Sequence, residues 1–151
     1  MFFGKIRLAD NKISGKDPVQ HLGLTKLRTS RDVSPHVWSD DRVALCYVPS
    51  GIKTLDESPQ PFTNTDASVV AVFEGKIHNA HDIKRELGSA YNSRSTNSGE
   101  VLIPLYQRYG DSFPTKLNGK FAFALWDANQ QKLLLGRDHL GIESLYYMED
   151  R

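Results

Sequence analysis

The sequence contains little cysteine, almost no net charge and no long hydrophobic run. Cys46 is the single cysteine of 151 residues, which excludes an internal disulfide and a metal site built from several thiolates. The formal net charge of +1 provides no basic excess for nucleic acid and no acidic tail. No apolar segment approaches the roughly 20 residues that cross a bilayer, and the first residues lack the apolar core of a signal peptide. We therefore expect a cytoplasmic protein that binds neither nucleic acid nor membranes.

The remaining composition is that of an ordinary globular protein. Hydrophobic residues make up 39% and charged residues 25% of the chain, a usual mix for soluble domains. The length favours one domain, residues 1–151, built around one hydrophobic core.

Short apolar segments bounded by turn residues predict several strands in the first half. The predicted strands are Phe2–Leu8, Gln20–Leu27, Val37–Trp38, Arg42–Val48 and Ser68–Phe73. Pro49–Asp66 contains three prolines and is predicted to be a long loop. Gly75 is predicted to form a tight turn after the last of these strands.

Two helices are predicted next. The first has Asn79 as a candidate N-cap and Gly88 as its stop. The second has Ser98 as a candidate cap, an apolar stripe at helical spacing and Gly110 as its stop.

The segment Lys120–Asp127 predicts a strand that is apolar on both faces. Alternate side chains point to opposite sides of a strand, and here both sets are apolar: Phe121, Phe123 and Leu125 against Ala122, Ala124 and Trp126. Such a strand must be covered on both sides, as in the middle of an α/β/β/α stack. Lys132–Gly136 is predicted to return as a hairpin, and Leu145–Tyr147 to begin another strand.

Three segments resemble signatures of a known family. Leu117–Asp127 and Arg137–Tyr147 closely resemble two motifs of the class II glutamine amidotransferase domains of asparagine synthetases. Val72–Asn79 resembles a third, written in the family as phenylalanine-asparagine-glycine-glutamate-isoleucine-tyrosine-asparagine. The resemblance extends from about Arg28 to Tyr147.

The resemblance implies an α+β fold of the N-terminal nucleophile hydrolase type, a four-layer α/β/β/α sandwich of two antiparallel sheets between helices. In the family this domain cleaves the side-chain amide of glutamine and passes ammonia to an ATP-using synthetase domain. That second domain is absent from this sequence. In this chain we expect no cofactor and no metal. The glutaminase domain usually continues one or two strands beyond the equivalent of Tyr147, so the chain is either a truncated piece or a short degenerate protein.

The family nucleophile is an N-terminal cysteine whose own α-amine acts as general base. At the matching position this chain has Phe2, which has no nucleophilic atom and whose bulk is expected to prevent removal of Met1. Cys46 is no substitute, because it lies inside a predicted strand and is expected to be a small buried residue. We therefore expect no catalytic residue in this chain.

The pocket residues that the family uses are also replaced. The oxyanion asparagine is matched by Glu74, although Gly75 retains the backbone N–H donor. The arginine that binds the substrate carboxylate is missing near Val48, while Arg42 lies at the wrong end of that strand. The aspartate that binds the substrate amine is matched by Ser98, and the glutamate after Gly75 is matched by Lys76. Arg137 is expected to form a structural salt bridge.

These replacements lead to three hypotheses. The first is a domain that has lost glutamine hydrolysis and serves as the scaffold, interface or regulatory part of an ammonia-using, amide-forming synthetase. Its partner would be an ATP-dependent synthetase domain or subunit, or a second copy in a homodimer. The second is a ligand-binding module that uses the altered glutamine pocket. The third is a residual glutamine amidohydrolase with a rearranged site.

Overall fold

A computed structural model of the chain describes residues 1–6, 34–49, 60–88, 91 and 95–147, without the side chains of residues 3–6. Within these ranges the chain forms two antiparallel sheets. The strands are β1 (Phe2–Ile6), β2 (His36–Ser39), β3 (Val43–Tyr47), β4 (Phe62–Thr63), β5 (Val69–Ile77), β6 (Gly119–Asp127) and β7 (Lys132–Arg137). The order is β1-β3-β2 in the first sheet and β4-β5-β6-β7 in the second. No helix in the described ranges is long and apolar enough to cross a membrane.

Strands β5 and β6 form the centre of the four-stranded sheet. They pair over their full length, from Val69 opposite Asp127 to Ile77 opposite Gly119. Each strand has nine residues. All residues from Phe121 to Asp127 are buried, as the two-sided apolar pattern predicts.

The outer face of this sheet is covered by helices. Helix α1 spans Ala80–Leu87. A 3-10 turn at Ser98–Val101 leads into helix α2 (Leu102–Tyr109), and a second 3-10 segment follows α2 at Gly110–Lys116. Their buried side chains form one cluster with Phe73, Ile77, Phe121, Phe123 and Leu125. We call this the outer cluster.

The inner face of the same sheet packs against the three-stranded sheet. Val70, Val72, Ala124 and Trp126 form a second cluster with Val43 and Leu45 of β3, which we call the intersheet cluster. The α+β sandwich and the two-sided burial of β6 are therefore confirmed. The described helices lie only on the outer face, and the second helical layer of the prediction is not among the described residues.

Most predicted strands are confirmed, but the predicted turn at Gly75 and the predicted last strand are wrong. Gly75 makes no turn: β5 continues through it in register to Ile77, because every residue keeps its partner on β6. Leu145–Tyr147 forms no strand, and Tyr146 and Tyr147 are strongly exposed. The predicted strand Gln20–Leu27 lies outside the described residues.

The side-chain hydrogen bonds at the starts of the helices differ from those predicted, because tertiary contacts occupy the polar side chains. Asn79 occupies the N-cap position of α1, as predicted, but its side chain makes no capping hydrogen bond. The side chain instead donates to the Lys116 carbonyl and accepts from the Asn118 N–H. The predicted cap Ser98 lies inside the 3-10 turn, and the cap is Asn97, whose side-chain oxygen accepts from the Gly99 N–H at 2.8 Å. The stops at Gly88 and Gly110 are confirmed.

The predicted loop Pro49–Asp66 also contains an element that the sequence did not indicate. Phe62–Thr63 pairs with Ala71 and Val70 as the short edge strand β4. Just before it, the buried amide of Gln60 donates to the Phe73 carbonyl and accepts from the Phe73 N–H. The Gln60 side chain thus bonds to the backbone N–H and C=O of Phe73, which the short strand β4 does not reach.

Asp138 organises the turn that follows the hairpin. Its carboxylate is 5% exposed and accepts the N–H groups of Phe121, Leu140, Ile142 and Glu143. Burial by itself would raise the pKa of this carboxyl, but these four donors outweigh burial and lower the pKa to about 2.

We expect Phe123→Ala to lower the free energy of unfolding by roughly 3–5 kcal/mol, the range for emptying a buried aromatic site. Phe123 is 1% exposed and its ring centroid lies 5.3 Å from that of Phe113. The measurement is the midpoint of urea denaturation, with Tyr146→Ala as the exposed control. A midpoint equal to that of the control would contradict the prediction.

We expect Asp138→Asn to destabilise the domain at neutral pH, because the ionised form is the one that its four donors favour. The folded pKa lies below the unfolded value of roughly 3.9, so this stabilisation is present above about pH 4 and is lost as the pH falls toward 2. The difference in denaturation midpoint between the wild type and the variant should therefore shrink over that range. Asp82→Asn, at an exposed carboxylate paired with Arg85, is the control. A difference that does not change with pH would contradict the assignment.

Candidate functional site

The inner face of the four-stranded sheet opens at one end. Along β5 the inner-face residues go from buried Val72 to half-buried Glu74 and exposed Lys76, while the outer-face residues Phe73 and Ile77 remain buried. The covering three-stranded sheet therefore ends at about Glu74. The positions that the resemblance singles out lie around this open end.

The first residue of the chain lies directly against Glu74. The α-amino group of Met1 is 2.5 Å from Oε2 of Glu74. The backbone of Met1 also pairs with Val48, because the Met1 amine donates to the Val48 carbonyl at 3.2 Å and the Val48 N–H donates to the Met1 carbonyl at 2.8 Å. This pair extends the β1–β3 ladder by one step and holds the amine at the sheet opening.

The Glu74 carboxylate is only partly hydrated. The side chain is 42% exposed, but Oε2 is shielded from solvent and makes no hydrogen bond. The Met1 ammonium therefore neutralises it as an ion pair that lacks hydrogen-bond geometry. An ionised carboxylate accepts hydrogen bonds and donates none.

The phenyl ring of Phe2 packs half-buried against the intersheet cluster. The group that forms the ion pair with Glu74 is the backbone amine of Met1. The sequence patterns singled out Phe2 and missed Met1, because nothing in them encodes how far β1 extends relative to β5.

Gly75 is required by the backbone at this position. Its φ of +107° lies in the region that favours glycine, and a Cβ there would be 2.2 Å from the Lys120 carbonyl oxygen. The same Cβ would be 3.0 Å from Cγ of Glu143. The turn organised by Asp138 thus brings Glu143 to the site, a neighbour that the sequence analysis did not single out.

Two lysines face each other beside Gly75. Lys76 is paired with Lys120 in the ladder, and Nζ of Lys120 lies 3.8 Å from Oε1 of Glu143. In the described part of the chain Lys76 forms no ion pair, and neither does Arg137. The predicted salt bridge of Arg137 is thus not found there; its guanidinium lies against Gly141 instead.

Ser98 is fixed by the backbone of β5. Its hydroxyl oxygen accepts the Ile77 N–H at 3.0 Å, so it anchors the 3-10 turn to the end of the strand. This contact brings Ser98 to the same strand end as Glu74, Gly75 and Lys76.

Cys46 lies in β3 and is fully buried. Burial raises the pKa of its thiol to about 11, although the positive charge of the chain's amino group acts in the opposite direction. The thiol is therefore protonated at neutral pH, and the thiolate that nucleophilic chemistry requires is scarce. Across the described ranges no three His, Cys, Asp or Glu side chains are grouped to hold a metal ion.

Comparisons with known proteins agree with the sequence motifs. A family described as glutamine amidotransferase domain matches residues 13–151. The amidase chyE of Penicillium rubens is 44% identical over 132 residues, which cover 82% of this chain and 20% of that protein. Asparagine synthetase B (glutamine-hydrolyzing) of Escherichia coli is 34% identical over 110 residues, or 73% of this chain and 20% of that protein.

A further relative, asparagine synthetase (glutamine-hydrolyzing) 2 of Bacillus subtilis, is 34% identical over 110 residues, covering 73% of this chain and 15% of the relative. The chain thus spans a fifth or less of the length of these curated relatives. The family match covers most of the chain and includes all three signature segments. The chain therefore belongs to the family of glutamine amidotransferase domains and is related to the asparagine synthetases.

Proposed function

We propose that this domain has lost glutamine hydrolysis and serves as a scaffold, interface or regulatory domain of an ammonia-using, amide-forming synthetase. The observation that carries the proposal is the ion pair between Glu74 and the Met1 ammonium. It lies where the resemblance calls for an asparagine donor and a free amine.

The ion pair opposes the chemistry in two ways. The Met1 amine is turned toward the Glu74 carboxylate and the Val48 carbonyl, and its own residue carries no thiol or hydroxyl from which it could take a proton. A carboxylate at the oxyanion position repels the negative charge that develops in the transition state. Loss of one oxyanion donor alone typically lowers the rate by ~10²–10³, and a repulsive group in its place should lower it further.

Substrate recognition is weakened by the same set of replacements. Val48 contributes a buried aliphatic side chain where an arginine fork would bind both carboxylate oxygens. The Ser98 hydroxyl, already bound to Ile77, is neutral where the family carries a carboxylate. Lys76 has the wrong sign to attract an α-ammonium group. Free glutamine therefore meets none of the charges that would hold its two ends.

A synthetase partner is supported by the size of the relatives. Asparagine synthetase B of E. coli is about five times longer than the matched part, so the corresponding domain works there within a larger chain. We propose an ATP-dependent synthetase domain or subunit as the partner, in the cytoplasm, with no cofactor bound by this domain itself.

A residual amide hydrolase is the second candidate, favoured by the name of one relative. The amidase of P. rubens is 44% identical over 82% of this chain. The two candidates differ in one measurable property, which is turnover of an amide by the isolated chain.

We expect no glutamate release from glutamine by the purified protein and no adduct with a glutamine-analogue alkylator. The reason is that Phe2 supplies no nucleophilic atom and the Cys46 thiol is buried and protonated. Glutamate release is followed enzymatically and the adduct by intact mass, which also reports whether Met1 is retained, as expected. Asparagine synthetase B of E. coli serves as the positive control. Turnover above the buffer blank, or an adduct, would favour the amidase candidate.

Stepwise restoration should show that the replaced residues act together. Phe2→Cys permits removal of Met1 and exposes an N-terminal thiol, but we expect it to remain inactive alone. Adding Glu74→Asn should give weak activity, and adding Val48→Arg should raise it further, with non-additive gains.

The matched control for this series is Phe2→Ala with the same Glu74→Asn and Val48→Arg changes, which also permits Met1 removal but carries no thiol. Each variant is checked for folding by its denaturation midpoint before the glutamate assay. If Phe2→Cys alone turned over glutamine at ~1–10³ s⁻¹, a typical enzymatic range, the pocket would be intact and the proposal wrong.

A further inference from the structure

Three basic residues from three neighbouring strands share the open end of the inner face. They are Lys76 on β5, Lys120 on β6 and Arg137 on β7, and we call them the cationic row. Lys76 is directly opposite Lys120, and Arg137 is opposite Ala122, two residues along β6.

The alternation of side chains puts all three on one face. On β5, Phe73 and Ile77 both belong to the outer cluster, so Lys76 between Gly75 and Ile77 faces inward. On β6, Phe121 belongs to the outer cluster, so Lys120 next to it also faces inward.

On β7 the same reasoning applies. Leu134 packs on the outer cluster and Leu133 on the intersheet cluster, which gives Arg137 the inward side. All three residues are exposed, because the three-stranded sheet does not cover this end.

The charges of the cationic row are not balanced by the described carboxylates. Glu74 is already paired with the Met1 ammonium. Glu143 reaches only Lys120, at 3.8 Å. Two ammonium groups on directly opposed strand residues, with Cβ atoms about 5 Å apart, repel each other and weaken the ladder. Nothing in the packing of the sheet requires this arrangement, since neither lysine belongs to a buried cluster.

We propose that the cationic row binds the oxyanion group of a small organic ligand, a phosphate or a carboxylate. A single anionic group between Lys76 and Lys120 would relieve their repulsion and bind both as point charges. The guanidinium of Arg137, held against Gly141, would supply paired donors at the rim. The partly hydrated Glu74 borders the row and would repel a second anionic group on the same side.

This inference goes beyond the proposed function and does not depend on it. A domain without hydrolysis can serve as an interface with or without a ligand, and a residual amidase could bind an anion at the same place. Glutamine is not the expected ligand, because its α-ammonium group would meet the lysines.

The test is isothermal titration of the full chain with inorganic phosphate, pyrophosphate and glutarate at constant ionic strength, with glutamine as the comparison. We expect saturable binding of at least one phosphate or carboxylate probe, stronger than that of glutamine. Which probe binds more tightly distinguishes a phosphate site from a carboxylate site. Lys76→Gln and Lys120→Gln should each weaken binding about fivefold, the upper range for an exposed ion pair.

Lys132→Gln is the matched control, because Lys132 is on β7 of the same sheet but pairs with Asp111, away from the open end. Its affinity should equal that of the wild type. If Lys132→Gln weakened binding as much as Lys76→Gln, or if the heats did not saturate, the binding would be a general charge effect and the proposal would be overturned.

A second measurement is independent of ligand choice. Without added anions, Lys76→Gln should raise the denaturation midpoint above that of the wild type, since it removes the repulsion across the ladder. Saturating amounts of the best-bound probe should reduce or reverse this difference. A midpoint that Lys76→Gln lowers without anions would mean that the two lysines do not repel, and would contradict the proposal.

Discussion

The pairing of β5 with β6 is the constraint on which the rest of this domain depends. Their ladder keeps one register from Val69–Asp127 to Ile77–Gly119, and both of its faces are apolar. One face therefore requires helices and the other requires a second sheet, because an uncovered apolar face of this size would be left in water. The site lies where the ladder continues past the edge of the covering three-stranded sheet. The inner-face residues at this uncovered end are Glu74, Lys76 and Lys120.

Much of this architecture is encoded locally. The alternating apolar side chains of Phe121–Trp126 determine a strand buried on both sides, and the stops at Gly88 and Gly110 follow from residues that leave the helical region easily. Other features could not be predicted, because they depend on partners distant in the chain. Glycine is typical of turns, yet the pairing of β5 with β6 keeps Gly75 within the strand. Asparagine and serine are typical helix caps. The side chain of Asn79, however, bonds to the backbone of Lys116 and Asn118, and the hydroxyl of Ser98 bonds to the backbone of Ile77.

The same distinction applies to the candidate site. The replacements at Phe2, Glu74 and Ser98 follow from the resemblance of the sequence to the family. The contact between Glu74 and the Met1 amine does not, because it depends on how far β1 extends along β3 and on how the two sheets meet. The role of Asp138 likewise depends on the fold, in which its four donors bring Glu143 back toward Gly75.

The one-sided opening of the sheet has a consequence for how such a domain can diverge. Glu74 and Lys76 on the inner face belong to neither buried cluster, whereas Phe73 and Ile77, one residue away on the outer face, are part of the core. Chemical identity at the opening can therefore drift with little penalty in foldability, and Gly75 alone among these neighbours is fixed by the backbone. On such a strand the inner-face residues can change without loss of core packing, whereas the outer-face residues cannot. The same property would let a designer install a new recognition site without redesigning the scaffold.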